Sequence, residues 1–196
     1  MSDPAQDDQD RLDMARLAAG HDTALNDLMQ RHSQKLFHYL RRHLPNDSDA
    51  EDCAQEAFVR VYVNRGKFRP ASKFTTWLYA IATNLARDCH RRHTRHPEVA
   101  LALNEDGTGG MGAIPDKTPL AGEQMENRER AEQVRAAVQA LPEDLRTPLL
   151  LFEYENLGQA EIGEILDCTP KAVELRIYRA RKILRESLAG LMDEPG

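Results

Sequence analysis

Two stretches of this chain hold side chains suited to gripping nucleic acid, and a third pair has the spacing of metal ligands. Between Lys67 and Arg95, the aromatic residues Phe68, Phe74, Trp77 and Tyr79 stand close to Lys67, Arg69, Lys73, Arg87, Arg91, Arg92 and Arg95. Aromatic faces stack on unpaired bases for about 1–3 kcal/mol per base, while cations neutralise the backbone alongside. The loop from Gly66 to Lys73 is a candidate pocket for a base turned out of its stack. Near the other end, Lys171, Glu174, Arg176, Tyr178, Arg179, Arg181, Lys182 and Arg185 point outward from one helix. All but Glu174 can donate hydrogen bonds; an arginine suits guanine O6 and N7, and Glu174 suits the amino group of cytosine. Cys89 and His93, four residues apart on one helix face, have the spacing of two metal ligands. No carboxylate or second cysteine completes that set, and the flanking arginines repel a cation. The expectation is therefore no metal and no cofactor, with His90, His93 and His96 part of a basic surface. Neither a Cys-His-Asn constellation nor a clustered Asp/Glu/His set is present, so no catalytic residue is expected and the chain reads as a non-enzyme.

These residues need helices to carry them. Apolar residues recur at helical spacing at Met14, Leu17, Ala18, Leu25, Leu28, Met29, Leu36, Tyr39, Leu40 and Leu44. Pro45-Asn46-Asp47 breaks the run. Ser48 with Glu51 makes a capping box for a helix whose buried stripe is Ala50, Cys53, Ala54, Ala57, Phe58 and Val61. The next helix places Trp77, Ile81 and Leu85 on a core-facing stripe, leaving Lys73, Tyr79, Thr83 and Arg87 on other faces for nucleic acid. After Pro97 the pattern stops, and Asn104 to Gly112 is Gly-rich and aperiodic. Periodicity resumes at Val134, Val138, Leu141, Leu145, Leu149 and Phe152, with Pro148 expected to kink or restart that helix. Gly158 is read as the end of that helix. Gln159 to Leu166, the Asp167-Cys168 turn, the Thr169 cap, Pro170 at N1 and the inward Val173, Ile177 and Ala180 spell a helix-turn-helix.

The reading is all-α: two small helical domains joined by a flexible linker. Residues 1–13, with five aspartates, are taken as a solvated acidic tail, 14–96 as the first domain, 97–127 as linker and 128–192 as the second domain. The 196 residues are 41% hydrophobic and 30% charged, which suits small helical units with much exposed surface. Three scattered cysteines, Cys53, Cys89 and Cys168, fit reduced thiols, and the start is not signal-like; a cytoplasmic protein without membrane insertion is expected. A net charge of −6 disfavours tight DNA binding by the chain alone. Asp47, Asp49, Glu51, Asp52 and Glu56 surround one helix start, where they either complement the helix dipole or form a docking face for a basic protein.

Three blocks, in order, resemble the sigma-70 family of RNA polymerase sigma factors. Asp49 to Tyr62 (DAEDCAQEAFVRVY) resembles region 2.2, Phe74 to Asp88 (FTTWLYAIATNLARD) resembles regions 2.3 and 2.4, and Leu141 to Arg181 resembles region 4. With only regions 2 and 4, the chain is similar to the short extracytoplasmic-function (ECF) group. The resemblance implies that Asp49, Asp52, Gln55 and Glu56 dock on the clamp helices of the polymerase's largest subunit, with the flap region a second contact. It implies that Lys67, Phe68, Arg69, Lys73, Tyr79, Thr83, Arg87 and Arg91 recognise and melt the −10 element. Region 4 is implied to read the −35 duplex through Glu174, Leu175, Tyr178 and Arg179, with Lys171, Arg176 and Arg181 beside them. Glu174 stands where many relatives carry a basic residue, which leaves the −35 base preference open, and Thr83 stands where Arg is common, which weakens the carry-over of a DNA contact at that position. Promoter DNA, core polymerase and an anti-sigma factor are the partners implied. The rival reading is a stand-alone helix-turn-helix regulator.

Overall fold

The structure, a computed structural model, describes residues 4–95 and 121–189; within them every regular element is helical. The first helix, α1 (Pro4–Ala18), lies where a solvated acidic tail is expected, and three of its aspartates are buried. Asp7, Asp10 and Asp13 recur every three residues and so share a face with Met14 and Leu17. Burying a carboxylate is costly unless it is paired. Asp10 accepts from Arg31 Nε at 2.9 Å and lies 2.8 Å from His32 Nε2, and Asp13 accepts from Arg31 Nη2 at 2.6 Å. Burial opposes the charge on Asp13, but hydrogen bonds from Arg31, Gln9 and Arg16 hold its pKa below the usual carboxylate value.

Gly20, at φ +93°, turns the chain into α2 (Thr23–His43), which buries Leu28, Leu36, Tyr39 and Leu40. Helix α3 (Asp47–Val63) buries the stripe that spacing indicates, from Ala50 to Val61. Its cap is Asn46 rather than Ser48: the Asn46 side chain accepts from the backbone N–H of Asp49 at 2.8 Å. A 3-10 turn (Arg65–Lys67) leads to α4 (Phe74–Arg95), whose Phe74 and Leu78 are buried outright. Leu85 is buried and Trp77 and Ile81 are partly buried, so the core-facing reading of these three holds.

The C-terminal unit comprises α5 (Ala121–Ala140), α6 (Glu143–Glu153), α7 (Gln159–Leu166) and α8 (Pro170–Ser187). Helix α5 opens inside the stretch read as linker. Its first turns, GEQMENRER, are rich in good helix formers but lack an apolar stripe, so periodicity does not register them. The remainder of that stretch, including Glu105 and Asp106, lies outside the described residues. The break before α6 falls at Leu141-Pro142, and α6 runs through Pro148 without interruption. The two units pack together: α4 meets α7, and α2 meets α5 and α6. No described helix is long and apolar enough to cross a membrane.

Candidate nucleic-acid interface

Helices α7 and α8 cross at a turn that depends on two backbone details. Asp167 takes a left-handed conformation at φ 51°, and the N–H of Cys168 returns to the carbonyl of Gly163 at 2.9 Å. A Cβ on Gly163 would sit 2.6 Å from the carbonyl oxygen of Cys168, so glycine is what lets the turn close. Gly158 does not end the preceding helix but opens α7, its N–H donating to Glu161 Oε2 at 2.7 Å. Thr169 caps α8 by accepting from Ala172 N at 3.2 Å, with Pro170 at the first helical position. Ile162, Ile165, Val173, Ile177 and Ala180 form the buried seam.

This scaffold leaves the outer face of α8 bare. Tyr178 is 66% exposed and Leu175 47%, side by side with the charged residues of that face. Lys171 and Glu174 pair at 2.8 Å, and Arg179 is exposed without an ion pair among the described residues. Arg176 turns back to donate to Cys168 Sγ at 3.6 Å, and Arg181 pairs with Glu153 at 2.6 Å beside the Phe152 ring. Those two arginines therefore sit at the flanks of the face.

Helix α4 is placed differently. Lys67 and Arg69 reach solvent in the loop before it, where the Phe68 ring packs 5.4 Å from Trp77 and 6.3 Å from Phe74. Arg91 is also exposed and paired with Asp88. Lys73, Tyr79 and Arg87 instead meet acids of the C-terminal unit. Lys73 Nζ is 2.9 Å from Glu161 and 3.3 Å from Asp7, Tyr79 donates to Glu155, and Arg87 Nε is 2.9 Å from Glu143. Thr83 is 1% exposed and hydrogen-bonds the hydroxyl of Tyr39 at 2.8 Å, inside the bundle. In this arrangement the −10 candidates split: Lys67, Arg69 and Arg91 at the surface, Lys73 and Arg87 paired with acids of the other unit while still partly open, Tyr79 buried against it, Phe68 in the aromatic cluster and Thr83 in the core.

A second set of seam residues differs from the sequence reading, which put His90 on a basic surface and singled out none of the others. His43 Nε2 lies 2.8 Å from Thr147 Oγ1, and His90 Nε2 lies 2.9 Å from both the His43 carbonyl and Arg146 Nη2. Arg146 also donates to the Gln139 carbonyl at 2.8 Å and is buried. Burial, with Arg146 and His90 close by, drives the His43 pKa down to about 3, and burial likewise lowers His90. The seam is a buried polar contact held by neutral imidazoles next to a guanidinium.

On the opposite side, Asp52, Gln55 and Glu56 are exposed along α3, around a 640 Å³ cavity shared with Val59, Arg60, Asp88 and Arg92. Glu56 pairs with Arg60 at 2.9 Å. Asp49 is turned inward: its carboxylate accepts from Asn46 Nδ2 at 2.8 Å and lies 2.7 Å from His93 Nε2. The acidic docking candidates thus form a three-residue open face with Asp49 at its inner edge.

Comparison with known proteins gives this layout a family. Residues 28–96 match the model of Sigma-70 region 2, and residues 131–184 that of Sigma-70, region 4. The RNA polymerase sigma-H factor of Pseudomonas aeruginosa is 34% identical over 188 residues, 95% of this chain and 97% of that protein. The ECF RNA polymerase sigma factor SigW of Bacillus subtilis is 35% identical over 181 residues, 88% of this chain and 92% of that one. Among solved structures, CnrH in complex with the cytosolic domain of CnrY superposes with a TM-score of 0.70 at 25% identity, covering 95% of this chain and 99% of that one. The sigma factor RpoE of Bartonella quintana, solved with the anti-sigma factor NepR, shares the fold at a TM-score of 0.61 and 18% identity, over 84% of this chain and 96% of that one. The chain belongs to the sigma-70 family of RNA polymerase sigma factors, in its ECF branch.

Proposed function

We propose a division of labour within this promoter-directing subunit of RNA polymerase. The exposed face of α8 enters the major groove of the −35 element, with Arg179 and Glu174 reading base edges, Leu175 and Tyr178 making apolar contact, and Lys171, Arg176 and Arg181 flanking them. Helix α4 and the loop before it receive the −10 strand through Lys67, Phe68, Arg69, Lys73, Tyr79, Arg87 and Arg91. Asp52, Gln55 and Glu56, with Asp49 behind them, dock on the polymerase. The chain catalyses nothing itself and works in the cytoplasm, where polymerase and promoter meet.

The observation that carries this reading is the pairing of Lys73, Tyr79 and Arg87 with Glu161, Glu155 and Glu143. Acidic side chains of the −35 unit occupy the partners that a nucleic acid backbone would take. Promoter binding therefore requires the two units to part, and core polymerase supplies the energy by docking them separately. An anti-sigma factor is a partner of the opposite sense, holding the chain away from polymerase; RpoE was solved with the anti-sigma factor NepR, and CnrH with the cytosolic domain of CnrY. The stand-alone regulator does not account for the acidic α3 face or for the α4 cations paired with acids of the other unit.

A gel-shift series with and without core polymerase tests the proposal. The chain alone leaves promoter DNA unshifted, and the chain with core gives a specific complex. Arg179→Ala weakens that complex by about 1–3 kcal/mol and relaxes its preference at one −35 position. Equal, tight binding by the free chain favours the regulator instead.

A further inference from the structure

Cys89 and His93 stand one helical turn apart on α4, and no ligand near them in sequence completes a metal set. Helix packing supplies what sequence proximity does not. Asp49 and Cys53 stand one turn apart on α3, and α3 packs along α4 so that the two pairs face each other. The ligand atoms of Asp49, Cys89 and His93 all lie within 4.8 Å of one another. Cys53, one turn along α3 from Asp49, faces Cys89 and brings a second sulfur beside that set, though not within it. Both thiols are buried, and both are free.

We propose that Asp49, Cys53, Cys89 and His93 form a binding site for a thiophilic divalent cation of the zinc class, joining α3 to α4. Two sulfurs, one imidazole and one carboxylate are donors that such an ion takes in tetrahedral geometry. The ion replaces the proton that His93 Nε2 shares with Asp49 Oδ2 across 2.7 Å, and the two thiols release their protons to solvent as they become thiolates. The set then carries three negative charges against the two of the ion, and the neighbouring Arg92 balances the excess. The arginines that repel a cation from His93 alone become compensating charges once the thiolates are counted.

Further observations fit. Asn46 Nδ2 donates to the same Asp49 oxygen at 2.8 Å and so orients the carboxylate as an outer-shell partner does. The cavity beside Cys53, edged by Asp52, Glu56 and Asp88, offers a path from solvent.

The probe is Co2+ added anaerobically to the reduced, metal-stripped full chain. One equivalent should give a thiolate-to-cobalt charge-transfer band with the strong visible bands of a tetrahedral ion, and Zn2+ should bleach both. Cys89→Ser should abolish the charge-transfer band, and Cys168→Ser should leave it intact. Asn46→Ser, whose short hydroxyl keeps an acceptor for the α3 cap but removes the amide N–H that reaches Asp49 Oδ2, should weaken Co2+ binding about 10- to 100-fold. Should the cysteine variants not fold, thiol alkylation of the native chain decides: Zn2+ must protect Cys53 and Cys89 and leave Cys168 reactive. A weak octahedral spectrum, a charge-transfer band that survives loss of both Cys53 and Cys89, or alkylation unaffected by Zn2+ overturns the proposal. None of these outcomes bears on promoter binding, which is measured separately.

Discussion

Acid should loosen the contact between the two units, and His43 should be the reason. Its imidazole is buried at the end of α2, with Nε2 on Thr147 and Nδ1 without a partner. Arg146 from α6 and His90 from α4 both face it. Burial and these neighbours place its pKa at about 3, against 6.5 in an exposed histidine. Because the folded value is the lower one, the stabilisation from keeping His43 neutral is complete above pH 6.5 and is lost as pH falls toward 3. Each pH unit in that window costs about 1.4 kcal/mol, so at pH 5.5 the packed state should be weaker by about 1.4 kcal/mol, a factor of about ten. His90 shifts in the same direction and adds to the loss. His93 shifts the other way: its contribution is complete below 6.5 and fades as pH rises through its raised folded value. Urea unfolding at pH 7.5, 6.5 and 5.5, run on the native chain and on His43→Gln, isolates the His43 share, since glutamine does not titrate. The native chain should lose about 1.4 kcal/mol more than the variant between pH 7.5 and 5.5, with expansion visible in small-angle scattering. Equal pH slopes for the two proteins would refute the reasoning.

Other substitutions probe the same frame. Tyr79→Phe strands the half-buried Glu155 carboxylate, and should weaken interdomain packing by about 1–3 kcal/mol and enlarge the scattering radius; an unchanged radius contradicts the covered-interface account. Gly163→Ala gains about 1 kcal/mol of helix propensity but forces a Cβ to 2.6 Å from the Cys168 carbonyl. The net result should be a destabilised C-terminal unit by about 1–2 kcal/mol, read as a lower melting temperature; a neutral or raised one would show that the turn relaxes freely.

The helices were legible wherever an apolar stripe ran at helical spacing. The α3 stripe and the α7–α8 motif follow from residue types alone, because cap, turn and inward positions all lie within a few residues of each other. What stayed hidden depends on distant partners. Asp7, Asp10 and Asp13 look solvated until Arg31 and His32 of α2 are seen to meet two of them. The start of α5 has helix-forming residues but no stripe. Tyr79 and Thr83 fall off the main apolar face of α4, yet Glu155 and Tyr39 claim their hydroxyls from other helices. Cys89 and His93 were visible as a pair, but the register of α3 against α4 is what sets Asp49 and Cys53 opposite them. The seam of His43, His90, Arg146 and Thr147 joins residues from both units and has no local pattern at all.

The central claim is that this chain gives core polymerase its promoter choice. In vitro transcription from a promoter library, with core polymerase and the purified chain supplied separately and together, measures it directly. Discrete start sites should appear only with both present, each preceded by common −35 and −10 sequences, and Arg179→Ala should deplete them. Start sites unchanged by adding the chain, or promoter complexes formed equally well without core, would contradict it.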